Sequence, residues 1–141
     1  MAQLGVMTPE QELAAATRIA KLRGEYWKAL LSYPPFVDGV VTLIEEHLEA
    51  EDAPSSELRA MRRAARAFRD RETRANRDTY LRTCIELAEG LAHLDVDGII
   101  CDLIAADLET LDAGQREGLS LRVRPPRKGS RPFRVYVLRV R

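Results

Sequence analysis

The sequence predicts an all-α fold, a helical bundle of about four to five helices followed by a basic C-terminal tail. Three observations lead there. Apolar residues recur at steps of three and four from Leu13 to Leu111. Ala, Leu, Arg and Glu dominate while aromatics make up only 6%, a mixture that favours packed helices over sheets. Helix starts and stops punctuate the pattern at Thr8-Pro9, Pro34-Pro35, Asp95–Gly98 and Gly114. With 141 residues, 45% hydrophobic and 31% charged, the chain is long enough for a modest core.

Thr8-Pro9-Glu10-Gln11 is a complete helix start. Thr8 can accept from a first-turn amide, Gln11 can reach back, and Pro9 suits the first helical position. Leu13, Ala16, Ile19, Leu22, Tyr26, Trp27, Leu30 and Leu31 then form one apolar stripe. Pro34-Pro35 ends this helix. A second runs from Phe36 to about Glu49, and the polar stretch EAEDAPSS from Glu49 to Ser56 is a loop. Ser55 or Ser56 caps a third helix on which Leu58, Met61, Ala65 and Phe68 oppose a row of arginines. A break falls within Arg71–Asp78, after which Tyr80, Leu81, Cys84, Ile85, Ala88 and Leu91 resume the pattern. Asp95-Val96-Asp97-Gly98 starts the last helix, with Ile99, Ile100, Leu103, Ile104, Leu108 and Leu111 inward and Gly114 as its stop. DVDG resembles the opening of a calcium loop, but the later ligands do not follow, so the aspartates read as helix caps.

The formal net charge of zero conceals blocks of opposite sign. Residues 1–58 carry 4 basic and 10 acidic side chains, residues 59–83 carry 9 and 3, residues 84–118 carry 1 and 9, and residues 119–141 carry 8 and none. Local potential, not the total, steers a polyanion. No apolar run approaches the roughly 20 residues of a membrane span, and no signal peptide is evident, so the chain reads as cytoplasmic. Gly-rich phosphate loops, GxSxG and HExxH are absent, which argues against an enzyme. Cys84 and Cys101 read as buried thiols and His47 and His93 as dipole partners late on helices. Neither a metal nor a cofactor is expected.

The stretch LSLRVRPPRKGSRPFRVYVLRVR, Leu119 to Arg141, has apolar residues alternating with arginines. One reading is a short β-hairpin, with Leu119, Leu121 and Val123 facing Phe133, Val135 and Val137 across a PPRKGS turn. Its basic ribbon would set Arg122, Arg124, Arg127 and Lys128 on nucleic-acid phosphates. A disordered or marginally attached tail is the second reading, and a truncated or frameshifted end is the third. All three stay open at this point.

In the N-terminal stretch, Leu4-Gly5, Val6-Met7-Thr8, Glu10, Glu12 and Ala16-Thr17-Arg18-Ile19 stand in a spacing like (L/M)G…LLT-x-EEE-x-x-LAKRIE. That pattern resembles region 1.2 of the sigma-70 family of bacterial RNA polymerase sigma factors. The continuation Tyr26–Pro35 is similar to family members with a long insert before region 2, and Phe36 to about Leu111 looks like that spacer. The resemblance divides the chain into a region 1.2-like helix (1–35), a helical spacer-like segment packed with it as one domain (36–118) and the basic tail (119–141). It implies transcription initiation with RNA polymerase core and promoter DNA as partners, no chemistry of its own and no small-molecule substrate. In the family, region 1.2 touches the non-template promoter strand, a role for which Arg18, Lys21 and Lys28 are the candidates. Nothing after Gly118 resembles region 2 or a region 4 helix-turn-helix, so the resemblance covers the N-terminal part of such a factor.

The competing expectation is a helical protein-protein interaction module without DNA contact. In it, the arginines of 59–82 pair with the acidic 84–118 segment and cancel the basic surface that DNA needs.

Overall fold

A computed structural model describes residues 6–141; Leu4-Gly5 lies outside them. Six α-helices form an all-α bundle, and no strand occurs among the described residues.

The first helix, α1 (Pro9–Leu30), starts as its sequence dictates. The Gln11 amide donates to the Thr8 hydroxyl and the Thr8 amide donates to the Gln11 side chain. Its end is set by the two prolines. Pro34 and Pro35 occupy the positions whose amides would have donated to the Leu30 and Leu31 carbonyls, and neither has an N–H. Two tyrosines from distant helices supply the missing donors. The Tyr136 hydroxyl donates to the Leu30 carbonyl at 2.6 Å, and the Tyr80 hydroxyl donates to the Leu31 carbonyl. The Cys84 thiol also reaches the latter, at 3.6 Å.

A single 3₁₀ turn, Pro34–Phe36, leads into α2 (Val37–His47), whose Val37, Val40, Val41 and Ile44 are buried. Next comes α3 (Ser55–Asp70), with Ser55 and Ser56 inside its first turn and no side-chain cap, contrary to the capping role expected of them. The expected break falls at Arg71–Thr73. There the Asn76 amide donates to the Ala67 and Arg71 carbonyls, and the Thr73 hydroxyl caps α4 (Arg74–Leu94). α4 lies antiparallel on α1: Tyr80 meets Leu31 at one end, and Ala92 and His93 border Ala20 and Lys21 at the other. Before α5 (Ile99–Asp112), Gly98 takes φ +71° and the buried Asp95 carboxylate accepts from the Ile100 and Cys101 amides. Asp95 is therefore a helix cap. Ile99, expected inward, is 59% exposed.

The tail departs from the hairpin reading. Residues after Gly118 first lie across the bundle, where the Leu121 amide donates to the buried Asp107 carboxylate and Leu121 itself is buried. Val123 crosses α2 at Gly39, where an added Cβ would strike the Val123 side chain. The sixth helix, α6 (Arg131–Val140), follows, capped when the Phe133 amide donates to Ser130 Oγ. Phe133, Tyr136, Val137 and Val140 are buried while Val135 and Leu138 are exposed. Helical spacing of 133, 136, 137 and 140 has thus prevailed over the alternation of 133, 135 and 137. The reason is burial: the helix seats Phe133 and Tyr136 against Tyr33 and Phe36, with the Tyr33 and Tyr136 rings stacked at 4.9 Å.

All six helices contribute to one hydrophobic core centred on Trp27, Ile44, Met61, Leu87, Ile104 and Tyr136. No helix among the described residues is long and apolar enough to cross a membrane.

Removing one tyrosine hydroxyl leaves a buried carbonyl without a donor. We expect Tyr136→Phe to cost about 1–3 kcal/mol in urea unfolding followed by the emission of Trp27. Val135→Ala, on the exposed side of the same helix, should change stability by less than about 0.5 kcal/mol.

Candidate nucleic-acid interface

α1 is buried over only part of its length. Trp27 and Leu30 are buried, and the helix gains its neighbours from about Ala20 onward, where the end of α4 and the start of α5 meet it. Upstream, every residue from Val6 to Ile19 is exposed except half-buried Ala15. Leu13, Ile19 and Leu22, placed inward by periodicity alone, are 70%, 55% and 62% exposed. The apolar stripe exists, but the bundle stops short of covering it. This arm of α1 is an exposed helix with its capping box intact.

The sequence-derived candidates fall into two groups. Arg18 and Lys21 stand exposed on the arm, and neither forms an ion pair among the described residues. Lys21 shares a hollow with Glu25 and Glu89, but Glu25 is engaged by Lys28 at 2.8 Å. Lys28 is thereby tied to its own helix, and it is the weakest of the three as a phosphate contact.

The second group lies near the opposite end of α1. Arg122 pairs with Glu46 at 3.3 Å, while Arg124, Arg127 and Lys128 are exposed and form no ion pair among the described residues. Arg127 and Lys128 ride on the Pro125–Ser130 loop, with Arg124 just before it, and the loop borders Tyr33, Pro35 and Phe36 just past the end of α1. Arg18 sits twelve residues before Leu30 on α1, so the groups are separated by a helix rise of about 18 Å. One compact patch does not contain both.

Folding adds two cations that the sequence reading did not group with this loop. Arg116 and Arg131 line the same groove as Arg127 and Lys128, because the chain turns back through Gly114 and Gly129 at φ +85° and +76°. The overlooked signal was Ser130-Arg131-Pro132, a cap followed by a proline at the second helical position.

The arginines of α3 pair differently from the expected arrangement. Arg62 reaches Glu45 at 2.8 Å and Arg69 reaches Asp38 at 3.3 Å, both on α2. The acidic end of α5 is matched by the tail instead: Arg141 forks onto Glu109 with two bonds of 2.8 Å, and Arg134 binds Asp112. The Arg141 bonds hold the Glu109 carboxyl below its ordinary range.

Neither cysteine is poised for chemistry. Both are buried and free, and burial pushes each thiol up to about 11. His47 Nδ1 lies 3.0 Å from the Leu43 carbonyl of its own helix. Comparison with protein-family models, with curated proteins and with solved structures gave no match.

Thiols that hold their protons to about 11 are inert at neutral pH. Iodoacetamide at pH 7.5 should leave Cys84 and Cys101 unmodified in the native protein and alkylate both in urea, as read by mass spectrometry. The unfolded thiols titrate near 9.0, below the folded ones. The folded state should therefore lose stability as pH climbs from 9 to 11.

Proposed function

We propose that the chain is a sigma-70-like transcription initiation factor, or a fragment of one, acting in the cytoplasm without chemistry of its own. Its α1 arm contacts promoter DNA through Arg18 and Lys21 and RNA polymerase through Leu13, Ile19 and Leu22. One observation carries the reading. The segment that resembles region 1.2 is the part of the chain that the bundle leaves uncovered, with two cations free of acidic partners. A helix that served only to complete its own core would turn that stripe inward. Ile19 and Leu22 lie next to each other beside Tyr26, and neighbouring exposed apolar residues mark a surface that meets another macromolecule. The cations beside it make sequence-independent, salt-sensitive contacts with phosphates.

A second reading, a helical interaction module without DNA contact, draws on the same exposed leucines and isoleucine. The cations separate the two. In the first reading the purified protein binds a fluorescent single-stranded promoter oligonucleotide at low salt and is captured by purified RNA polymerase. Arg18→Ala/Lys21→Ala should lower the slope of log K against log salt by about 1.4, corresponding to two phosphate contacts. Leu13→Ser/Ile19→Ser should abolish capture by polymerase while leaving oligonucleotide binding in place. Capture without DNA binding favours the interaction module. Binding to neither overturns both the promoter and the polymerase assignments.

A further inference from the structure

The loop that joins the tail to α6 forms a ridge between two grooves. On one side is a cavity of about 780 Å³ whose wall carries Arg116, Arg127, Lys128, Arg131 and Arg134. On the other is one of about 590 Å³ that shares Pro125–Ser130 and adds Arg124, Arg69 and the Tyr33 ring. The sole acid on the larger cavity is Asp112, and it is already bound by Arg134 and Arg141. Arg116, Arg127, Lys128 and Arg131 have no carboxylate partner among the described residues. Four like charges around one hollow repel each other, and no carboxylate among the described residues pairs with any of the four. The N-terminus of α6 opens at the same place and adds its own positive potential.

The loop is also held in place. Pro125 and Pro126 fix two backbone angles, and Leu121 anchors the strand of chain before them to Asp107. After them, Ser130 caps α6, whose buried face locks into the aromatic cluster. A cationic surface that is already ordered pays little entropy on meeting its ligand.

We propose that this ridge and its grooves bind the phosphodiester backbone of a single-stranded nucleic acid, as a site separate from the α1 arm. The proposal rests on the nucleic-acid half of the reading above but not on the polymerase half. Cations spread along a ridge, with a groove on each side and an aromatic ring in one of them, match a strand that passes several phosphates and unstacked bases. The cationic lining continues from the larger groove to Arg124 in the smaller one, which a single phosphate seated in the larger groove would leave unused.

The test is fluorescence anisotropy with a labelled sixteen-nucleotide oligo-dT at several salt concentrations, on the full chain. Arg127→Ala/Lys128→Ala/Arg131→Ala should weaken binding about tenfold at low salt and reduce the salt slope by about 2. Circular dichroism and Trp27 emission should be unchanged, because these side chains make no hydrogen bond or ion pair among the described residues. Arg18→Ala/Lys21→Ala gives an independent loss, and the two variants together should be additive. Loop substitutions that leave oligo-dT affinity intact overturn the proposal even where the arm variant is impaired. Displacement of the oligonucleotide by low-millimolar inorganic phosphate also overturns it, in favour of a site for a lone phosphate group. An impaired loop variant in a protein that polymerase fails to capture supports this site and removes the transcriptional reading.

Discussion

Two adjacent prolines create the requirement around which the bundle is built. Pro34 and Pro35 remove the amides that the carbonyls of Leu30 and Leu31 need, at a point where both leucines are buried. Water cannot serve those oxygens, and a buried acceptor without a donor costs about 1–3 kcal/mol. The remedy comes from far along the chain: Tyr80 on α4 and Tyr136 on α6 each place a hydroxyl on one carbonyl. Burial raises both tyrosines well above their ordinary titration range, so both hydroxyls stay protonated and able to donate. The same prolines turn the chain into the 3₁₀ step that brings Phe36 beneath Phe133 and Tyr136. A single local stop thus ties both α4 and α6 to the end of α1.

Satisfying that end of α1 fixes the geometry at the other. With Tyr80 of α4 held at Leu31, antiparallel packing runs out when α4 ends at Leu94, opposite the middle of α1. α5 then begins near Arg23 and Tyr26, and the Arg23 guanidinium lies 3.6 Å from the Cys101 sulfur. Before Ile19, which borders Cys101 and Asp102 of α5, the residues of α1 are exposed apart from Ala15. An isolated helix of that length is marginal in water. Here it is the extension of a helix already nucleated by its packed half and by the Thr8–Gln11 box. The arm is stable enough to exist and bare enough to meet a partner.

Much of this was legible in the sequence, and the exceptions have physical causes. The Thr8 box, the proline stop, the break before α4 and the Asp95 cap are local signals acting over a few residues, and each is found where the residues put it. The exposure of Leu13, Ile19 and Leu22 was not legible, because periodicity tells which residues share a side and says nothing of what stands opposite. α6 was missed for a related reason. Phe133 and Val137 fit both a two-residue and a four-residue repeat, and the deciding residue, Tyr136, earns its place only through Leu30, 106 positions away. The groove cations were scattered across Arg116 to Arg131 and became a group only when Gly114 and Gly129 turned the chain back on itself.

The blocks of alternating charge find an answer in the same contacts. Basic residues that lie beside acidic helix surfaces are consumed there: Arg62 and Arg69 on α2, Arg122 on Glu46, Arg134 and Arg141 on the end of α5. Exposed pairs of this kind add little to stability, because solvent and salt screen them. What they do decide is which cations remain available. After that pairing, the arm retains Arg18 and Lys21, the tail loop and its groove retain Arg116, Arg124, Arg127, Lys128 and Arg131, and α3 and α4 keep Arg59, Arg63, Arg66, Arg74, Arg77 and Arg82 without an ion pair among the described residues. The loop stands out between two grooves, and on the arm Lys21 borders the hollow that also holds Glu25 and Glu89 while Arg18 lies beyond it. A molecule with zero net charge can still present positive surfaces, because local potential and not the total decides what a polyanion meets.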